Sequence, residues 1–235
     1  MQLTPQHLHD LNNNFWYAQL PEHFKAFIIE KSQRIVASKD QSIFRTGEAF
    51  NGIYAVLEGA VRLGQIDVEG REAVSAIAEP IMWFGEISLV DQQARSHDAV
   101  TEKKSILLHI PAQDIDYLIE KHPEFWFHIA RLTSHKLRFA LELLAVQIQN
   151  ITQRLAQRLL LILNGYGNHI AIEKNTIQLS QEQLAVMLVC SRQTINQELQ
   201  NLEKLNIIRI SFKKIEILDI PRLHYIAYQE PIKIT

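Results

Sequence analysis

One cysteine, Cys190, occurs in the 235 residues of the chain. A single thiol excludes an internal disulfide framework, a cysteine-ligated iron–sulfur cluster and any zinc site built from several cysteines. It suits a reducing cytoplasm. Also missing is an apolar run of about 18 residues, the length a membrane span needs. The opening MQLTPQHLHDLNNN lacks the basic start and apolar stretch of an export signal. A soluble, non-exported, cytoplasmic protein with no membrane partner is expected. HExxH, GxSxG, the phosphate-binding GxxxxGK and a cysteine nucleophile with a histidine at a recognisable spacing are all absent, which argues against an enzyme and leaves a nucleotide-processing activity as a remote alternative. Repeats and low-complexity segments are absent too. No metal or iron–sulfur cluster is expected, and nothing in the spacing of His97, His122, His128 and His135 assigns them a ligand role.

An apolar fraction of 47% is enough for a real core, and the length favours two modest domains. Charge is unevenly spread. From Ile148 onward there are ten Lys/Arg against seven Asp/Glu, whereas the first 147 residues hold fourteen against nineteen. A basic tail on an acidic body fits a tail that contacts nucleic acid.

Residues 5 to 31 predict short helices, with Pro21 opening the second. From Arg34 the texture becomes short β-branched and aromatic segments (RIVAS, SIFR, GIYAVLEG, AVRLGQI, AVSAIA, SILLHI), and Gly47, Gly52, Gly59, Gly64 and Gly70 fall at the breaks. That spacing predicts a compact barrel or roll. AQDIDYLIEKH predicts one short helix, and Pro123 opens a long one running to about Asn150. Phe127, Ala130, Ser134, Leu137, Leu141, Leu144, Ile148 and Ile151 form one apolar row; Ile129, Leu132, Phe139, Leu143 and Val146 form another. A helix with two apolar stripes must bury both, so one is expected on the roll and the other on a second copy of the chain. The sequence does not say which.

ITQRLAQRLLLIL predicts a further amphipathic helix. In LSQEQLAVMLVCSRQTINQELQNLEKLNII, Ser180 and Gln183 make a capping box, and Ser191 caps a second helix after a turn of about three residues. Two capped helices so joined form a helix-turn-helix. Arg192, Gln193, Asn196 and Gln197 fall on the outward N-terminal side, where Arg suits guanine and Asn or Gln suits adenine. Val189 sits where this turn often has glycine, a poor place for a β-branched residue if φ is positive. IIRISFKKIEILDI predicts a hairpin with Lys213 and Lys214 at its basic turn.

The stretch GEISLVDQQARS supplies an anion site beside a sugar site. Gly85 lets a backbone NH approach a ligand, the Glu86 carboxylate suits paired hydroxyls, Arg95 offers a fork for phosphate oxygens and Ser96 adds a hydroxyl. A glutamate–arginine pair merely stapling the roll is the alternative.

The order IFRTGE, YAVLEGAVRL, WFGEISL, ARS, a long helix and LSQEQLAVMLVCSRQTI resembles the cyclic-AMP receptor protein / fumarate–nitrate regulator family over nearly the whole chain. The resemblance implies an α+β fold: an N-terminal jelly-roll sensor of cyclic-nucleotide-binding type (residues 1–122), a long dimerisation helix (123–150) and a C-terminal winged helix-turn-helix (151–235). It implies a homodimeric transcription regulator that binds double-stranded DNA at a pseudo-palindromic site, with RNA polymerase as a candidate partner. Gly85, Glu86, Arg95 and Ser96 fall on the family's phosphate-binding cassette, implying cyclic AMP or another cyclic nucleotide as effector. Ser191, Arg192, Gln193, Asn196, Gln197, Lys213 and Lys214 are the expected DNA contacts.

Two departures stand out. The Thr–Ser pair that cyclic-AMP-binding members offer from the long helix has no counterpart in LRFALELLA, which leaves room for another effector or none. Gln193 and Gln197 replace Glu and Arg at base-reading positions, implying a different target sequence.

Overall fold

The computed structural model describes residues 3–66, 72–145, 150–165 and 175–229. Its chain falls into two compact units that divide within one helix, between Arg138 and Phe139.

In the first unit, Thr4 caps α1 (Pro5–Asn12) by a reciprocal pair of bonds with His7, and a single 3₁₀ turn (Tyr17–Gln19) leads to α2 (Glu22–Lys31). Among the described residues eight strands follow: β1 (Gln33–Ala37), β2 (Ser42–Phe44), β3 (Gly52–Glu58), β4 (Val61–Ile66), β5 (Glu72–Ala78), β6 (Trp83–Phe84), β7 (Asp98–Thr101) and β8 (Ser105–Pro111). They form two antiparallel four-stranded sheets, ordered β1-β8-β3-β6 and β2-β7-β4-β5. The expected roll is there. β6 and β7 are additions; each is short, and together they bracket the GEISLVDQQARS segment. Gly64 lies inside β4 rather than at a break, at a register shift where a Cβ would meet the Ala73 carbonyl oxygen at 2.3 Å. Gly70 lies outside the described residues.

β3 explains its own continuous apolar run. From Gly52 to Leu57 every residue is buried, which requires cover on both faces. Ile53, Ala55 and Leu57 join a core with Leu11, Trp16, Tyr17, Phe24 and Ile28 of the N-terminal segment. Tyr54, from the other face, stacks on Phe84 of β6, 5.4 Å between ring centres. Fully burying a side chain of this size contributes roughly 1.5–3 kcal/mol, so the helices are integral to the roll.

α4 (Ala112–Lys121) leads to α5 (Phe125–Ala145). In α5, Phe125, Ile129 and Leu132 are buried in the same core, whereas Phe127, Ala130, Ser134, Leu137 and Leu141 form no part of it, and Phe127, Leu137 and Leu141 are largely exposed. Packing on the roll therefore takes the Ile129–Leu132 row. The helix does not reach Asn150. That residue is extended and caps the next helix by a reciprocal pair of bonds with Gln153, so Ile151 belongs to the following element. Val146 and Ile148, and the side chains of Leu143 and Leu144, lie outside the described residues.

The second unit contains α6 (Ile151–Leu163), β9 (Thr176–Ile177), α7 (Gln181–Leu188), α8 (Arg192–Lys204), β10 (Ile208–Ser211), β11 (Lys214–Ile217) and α9 (Ile220–Tyr228). The three strands form an antiparallel sheet in the order β10-β11-β9. α9 is not among the helices expected from the sequence, although its signals are present. Asp219 accepts from the Arg222 NH, Pro221 sits in the first turn, and Leu223 and Ala227 are buried. Among the described residues no helix is long and apolar enough to cross a membrane.

Candidate functional site

The GEISLVDQQARS segment leaves β6 at Gly85, forms the short helix α3 (Ile87–Asp91) and returns to β7. Gly85 has φ +94°, and a Cβ there would lie 3.0 Å from Arg95 Nη1. Backbone conformation and close approach both require glycine.

Arg95 is buried, with 3% of its surface exposed. Nη1 donates to the Gly85 carbonyl at 2.6 Å; Nη2 donates to Asn51 Oδ1 at 2.6 Å and to the Gly52 carbonyl at 2.7 Å. The guanidinium also lies over the rings of Phe44 and Phe50, 4.2 and 5.0 Å from their centres. All three acceptors are neutral. Glu86 does not pair with it. The Glu86 carboxylate, 1% exposed, instead accepts from Lys136 Nζ of α5, 2.6 Å from Oε2. A glutamate–arginine staple is thus replaced by a glutamate–lysine one.

His97 completes the group. Its Nδ1 is 3.1 Å from Ser96 Oγ, and burial first, then Lys136, hold its pKa below the ordinary 6.5. The imidazole is neutral at pH 7. Ser96 itself is exposed. Glu86 Oε1, Arg95 Nε and His97 Nε2 are buried without a hydrogen-bond partner among the described residues. Each such group costs about 1–3 kcal/mol relative to a satisfied one. Arg95 and Lys136 bring two positive charges against the one buried carboxylate, while the nearby Glu48 is exposed and screened. Chemically, the arrangement suits a small anion that also carries hydroxyl or ring donors and acceptors.

In the second unit, Ser180 Oγ accepts from the Gln183 NH at 3.1 Å, and Gln183 Oε1 accepts from the Ser180 NH at 2.9 Å. Ser191 Oγ accepts from the Thr194 NH at 3.0 Å to start α8. Val189 lies between them with φ +51° and ψ +54°. The turn is fully bent, and the valine carries the left-handed strain within its own backbone while its side chain stays 87% exposed. Arg154 and Arg158 of α6 donate to the Leu188 and Met187 carbonyls, the latter at 3.2 Å. They satisfy and neutralise the C-terminal end of α7.

Ile195, Leu199 and Leu202 bury the inner face of α8, leaving Ser191, Arg192, Gln193 and Gln197 exposed. Asn196 departs from that set. It is half-buried, and its Oδ1 accepts from Gln181 Nε2 at 3.0 Å, so it fastens α8 to α7. β10 and β11 are joined by a two-residue turn, Phe212–Lys213. Phe212, Lys213 and Lys214 are exposed there, with Lys213 Nζ 5.5 Å from the Phe212 ring centre. Two capped helices followed by a basic hairpin form a winged helix-turn-helix.

Comparison with known proteins agrees with both halves. A cyclic nucleotide-binding domain matches residues 34–122, and a Crp-like helix-turn-helix domain matches 153–226. The cyclic AMP receptor protein of Thermus thermophilus is 30% identical over 198 residues, covering 83% of this chain and 88% of that protein. The chain belongs to the Crp–Fnr family of transcription regulators. The CRP-like cAMP-activated global transcriptional regulator of Mycobacterium tuberculosis is 26% identical, over 84% of this chain and 89% of its own. FixK2 from Bradyrhizobium japonicum shares the fold, with a TM-score of 0.72 and 19% identity over 83% of this chain and 96% of that one.

For this Crp–Fnr regulator, the sequence motifs do not point to three side chains that pack beside Gly85, Glu86, Arg95 and Ser96. Asn51 and His97 are contributed by the segments flanking β3 and β7, and Lys136 by α5. Their signal is tertiary: nothing in local spacing links Lys136 to a carboxylate fifty residues earlier.

Proposed function

We propose that this Crp–Fnr regulator binds a small anionic effector at Gly85, Glu86, Arg95 and Ser96, with Asn51, His97 and Lys136 completing the cradle, and that binding controls its affinity for DNA. The observation that carries the proposal is the buried Arg95 guanidinium, held by neutral acceptors beside a second cation. A charge in that position is best satisfied by an anion. A cyclic nucleotide fits the donor set: its phosphate would face Arg95, and its hydroxyl the remaining oxygen of Glu86.

A second reading is favoured by Lys136. It occupies Glu86 Oε2, one of the two oxygens that a ribose hydroxyl could use, and LRFALELLA offers no Thr–Ser pair to a purine. An effector other than cyclic AMP, or none, follows if Lys136 does not yield. Calorimetric titration of cyclic AMP and of cyclic GMP into the wild-type protein separates the two. Heat from either nucleotide that is lost in Arg95→Lys supports the first reading; silence from both supports the second.

The row Phe127, Ala130, Ser134, Leu137 and Leu141 is proposed as the seam with a second copy. Two α8 helices related by a two-fold axis then enter successive major grooves about 34 Å apart, giving a pseudo-palindromic site. Arg192, Gln193 and Gln197 read bases; Ser191, Lys213 and Lys214 hold phosphates. Asn196 acts by fixing the angle between α7 and α8. The effector must bind the DNA-competent arrangement more tightly than the other, since equal affinity shifts nothing. Cytoplasmic action and contact with RNA polymerase are part of the same proposal.

A further inference from the structure

Outside the cradle, His23, His122 and Glu124 come together on the first unit. His23 lies in the first turn of α2, His122 ends α4, and Glu124 sits two residues later, just before α5. Their ligand atoms all lie within 4.8 Å of one another, and His122 Nδ1 is 3.2 Å from Glu124 Oε1. We propose that these three side chains form a binding site for a borderline divalent cation of the zinc type.

The geometry is close to what such an ion needs. With metal–nitrogen and metal–oxygen bonds of about 2.0–2.2 Å, tetrahedral ligands stand about 3.3–3.5 Å apart. The His122–Glu124 edge already has about that length. Rotation of exposed side chains closes the other two, a shortening of at most about 1.5 Å from the limit on ligand separation.

The backbones beneath the ligands are fixed by burial. Phe24, next to His23, and Phe125, next to Glu124, are both buried and meet edge to face at 5.0 Å. Leu118, one turn before His122, is buried as well, and Phe24 meets the His122 ring edge-on at 5.6 Å. Little ordering therefore remains to be done on binding. The three ligands line an open hollow of about 490 Å³ with Phe24, Phe27 and Leu118, so water can reach the fourth coordination position. Among the described residues no lysine or arginine forms an ion pair with Glu124. Two imidazoles and one carboxylate favour zinc, nickel, copper or cobalt over magnesium or calcium, which prefer all-oxygen sites. A bound ion would clamp the start of α2 to the α4–α5 corner. The absence of multiple cysteines in the sequence does not bear on such a set, which exists only once the helices have packed.

The test is titration of zinc chloride into the full-length, tag-free protein at pH 7.5, followed by calorimetry, with cobalt(II) absorption as a reporter of geometry. One ion per chain with affinity in the micromolar range is expected, together with a rise in the melting temperature. Loss of a metal's outer-shell partner costs about 10–100-fold in affinity, so His23→Ala and Glu124→Gln should each weaken binding at least tenfold and abolish the visible cobalt band. Both positions are exposed, and circular dichroism will show that the variants stay folded. Zinc affinity unchanged in both variants, or no binding at about 100 μM zinc, overturns the proposal.

Discussion

Lys136 Nζ lies 2.6 Å from Glu86 Oε2, tying α5 directly to the GEISLVDQQARS segment. The lysine is 22% exposed and the glutamate 1%, so the pair is largely desolvated. Oε1 of the same carboxylate has no hydrogen-bond partner among the described residues, so Glu86 holds α5 with one oxygen and keeps the other open.

Removing one partner of such a pair strands the other charge. Lys136→Met should lower the stability of the first unit by about 2–4 kcal/mol at pH 7, read from urea unfolding. Adding Glu86→Gln to that variant should recover much of the loss. Equal stability of wild type and Lys136→Met would show that the pair holds nothing.

Arg95 has a structural duty beside the binding role proposed for it. Arg95→Lys keeps the charge but loses the fork that serves Gly85, Gly52 and Asn51 together, so a loss of about 1–3 kcal/mol is expected. Effector heat should vanish at temperatures where the variant is still folded.

Val189 offers a test in the opposite direction. A non-glycine residue in the left-handed region costs roughly 1–2 kcal/mol, and its side chain is almost wholly exposed. Val189→Gly should stabilise the second unit by about 1 kcal/mol, part of the relief being offset by the flexibility of glycine in the unfolded chain. Thermal or urea unfolding that shows destabilisation contradicts the strained turn.

Three imidazoles set a pH dependence. His97, His109 and His128 are all held below their ordinary value of 6.5, burial being the largest cause in each. Below about pH 6.5 the unfolded chain takes up protons at these positions before the folded one does. Stability should therefore be highest above that pH and fall as pH drops from 6.5 towards the depressed folded values. Substituting His97 by Gln should shrink this fall, as measured by urea midpoints between pH 7.5 and 5.

The residues proposed to face DNA separate by kind. Arg192→Ala should cost about 1–3 kcal/mol and relax the preference at one base pair of each half-site. Lys213→Ala should weaken all sequences alike and make the logarithmic salt slope shallower by about 0.9 for every phosphate the lysine neutralises. Binding isotherms on matched and mismatched duplexes at several salt concentrations distinguish the two.

Local chemistry makes much of this legible without coordinates. The Ser180–Gln183 box, the Ser191 cap and six of the roll's eight described strands are properties of a few adjacent residues, whereas Gly85 is required by its positive φ and by Arg95, ten residues away. Asn150 shows the limit of periodicity: the apolar row runs on past it to Ile151, but its side chain accepts from the Gln153 NH and starts a new helix there. Lys136, Asn51 and His97 are illegible because their roles exist only after the sheets and α5 have packed. Asn196 looks outward on a helical wheel until Gln181 claims it. α9 is the opposite case, an element whose Asp219 cap and early proline are readable locally but are hidden behind the hairpin pattern that precedes them.

The most direct measurement is selection of bound DNA from a random pool with and without cyclic AMP, repeated with cyclic GMP. An effector-controlled dimer predicts enrichment of a two-fold symmetric site, half-sites one helical turn or a multiple of it apart, that depends on a nucleotide. An asymmetric pool, or the same symmetric pool in the absence and presence of both nucleotides, contradicts control by a cyclic nucleotide in the Arg95 cradle.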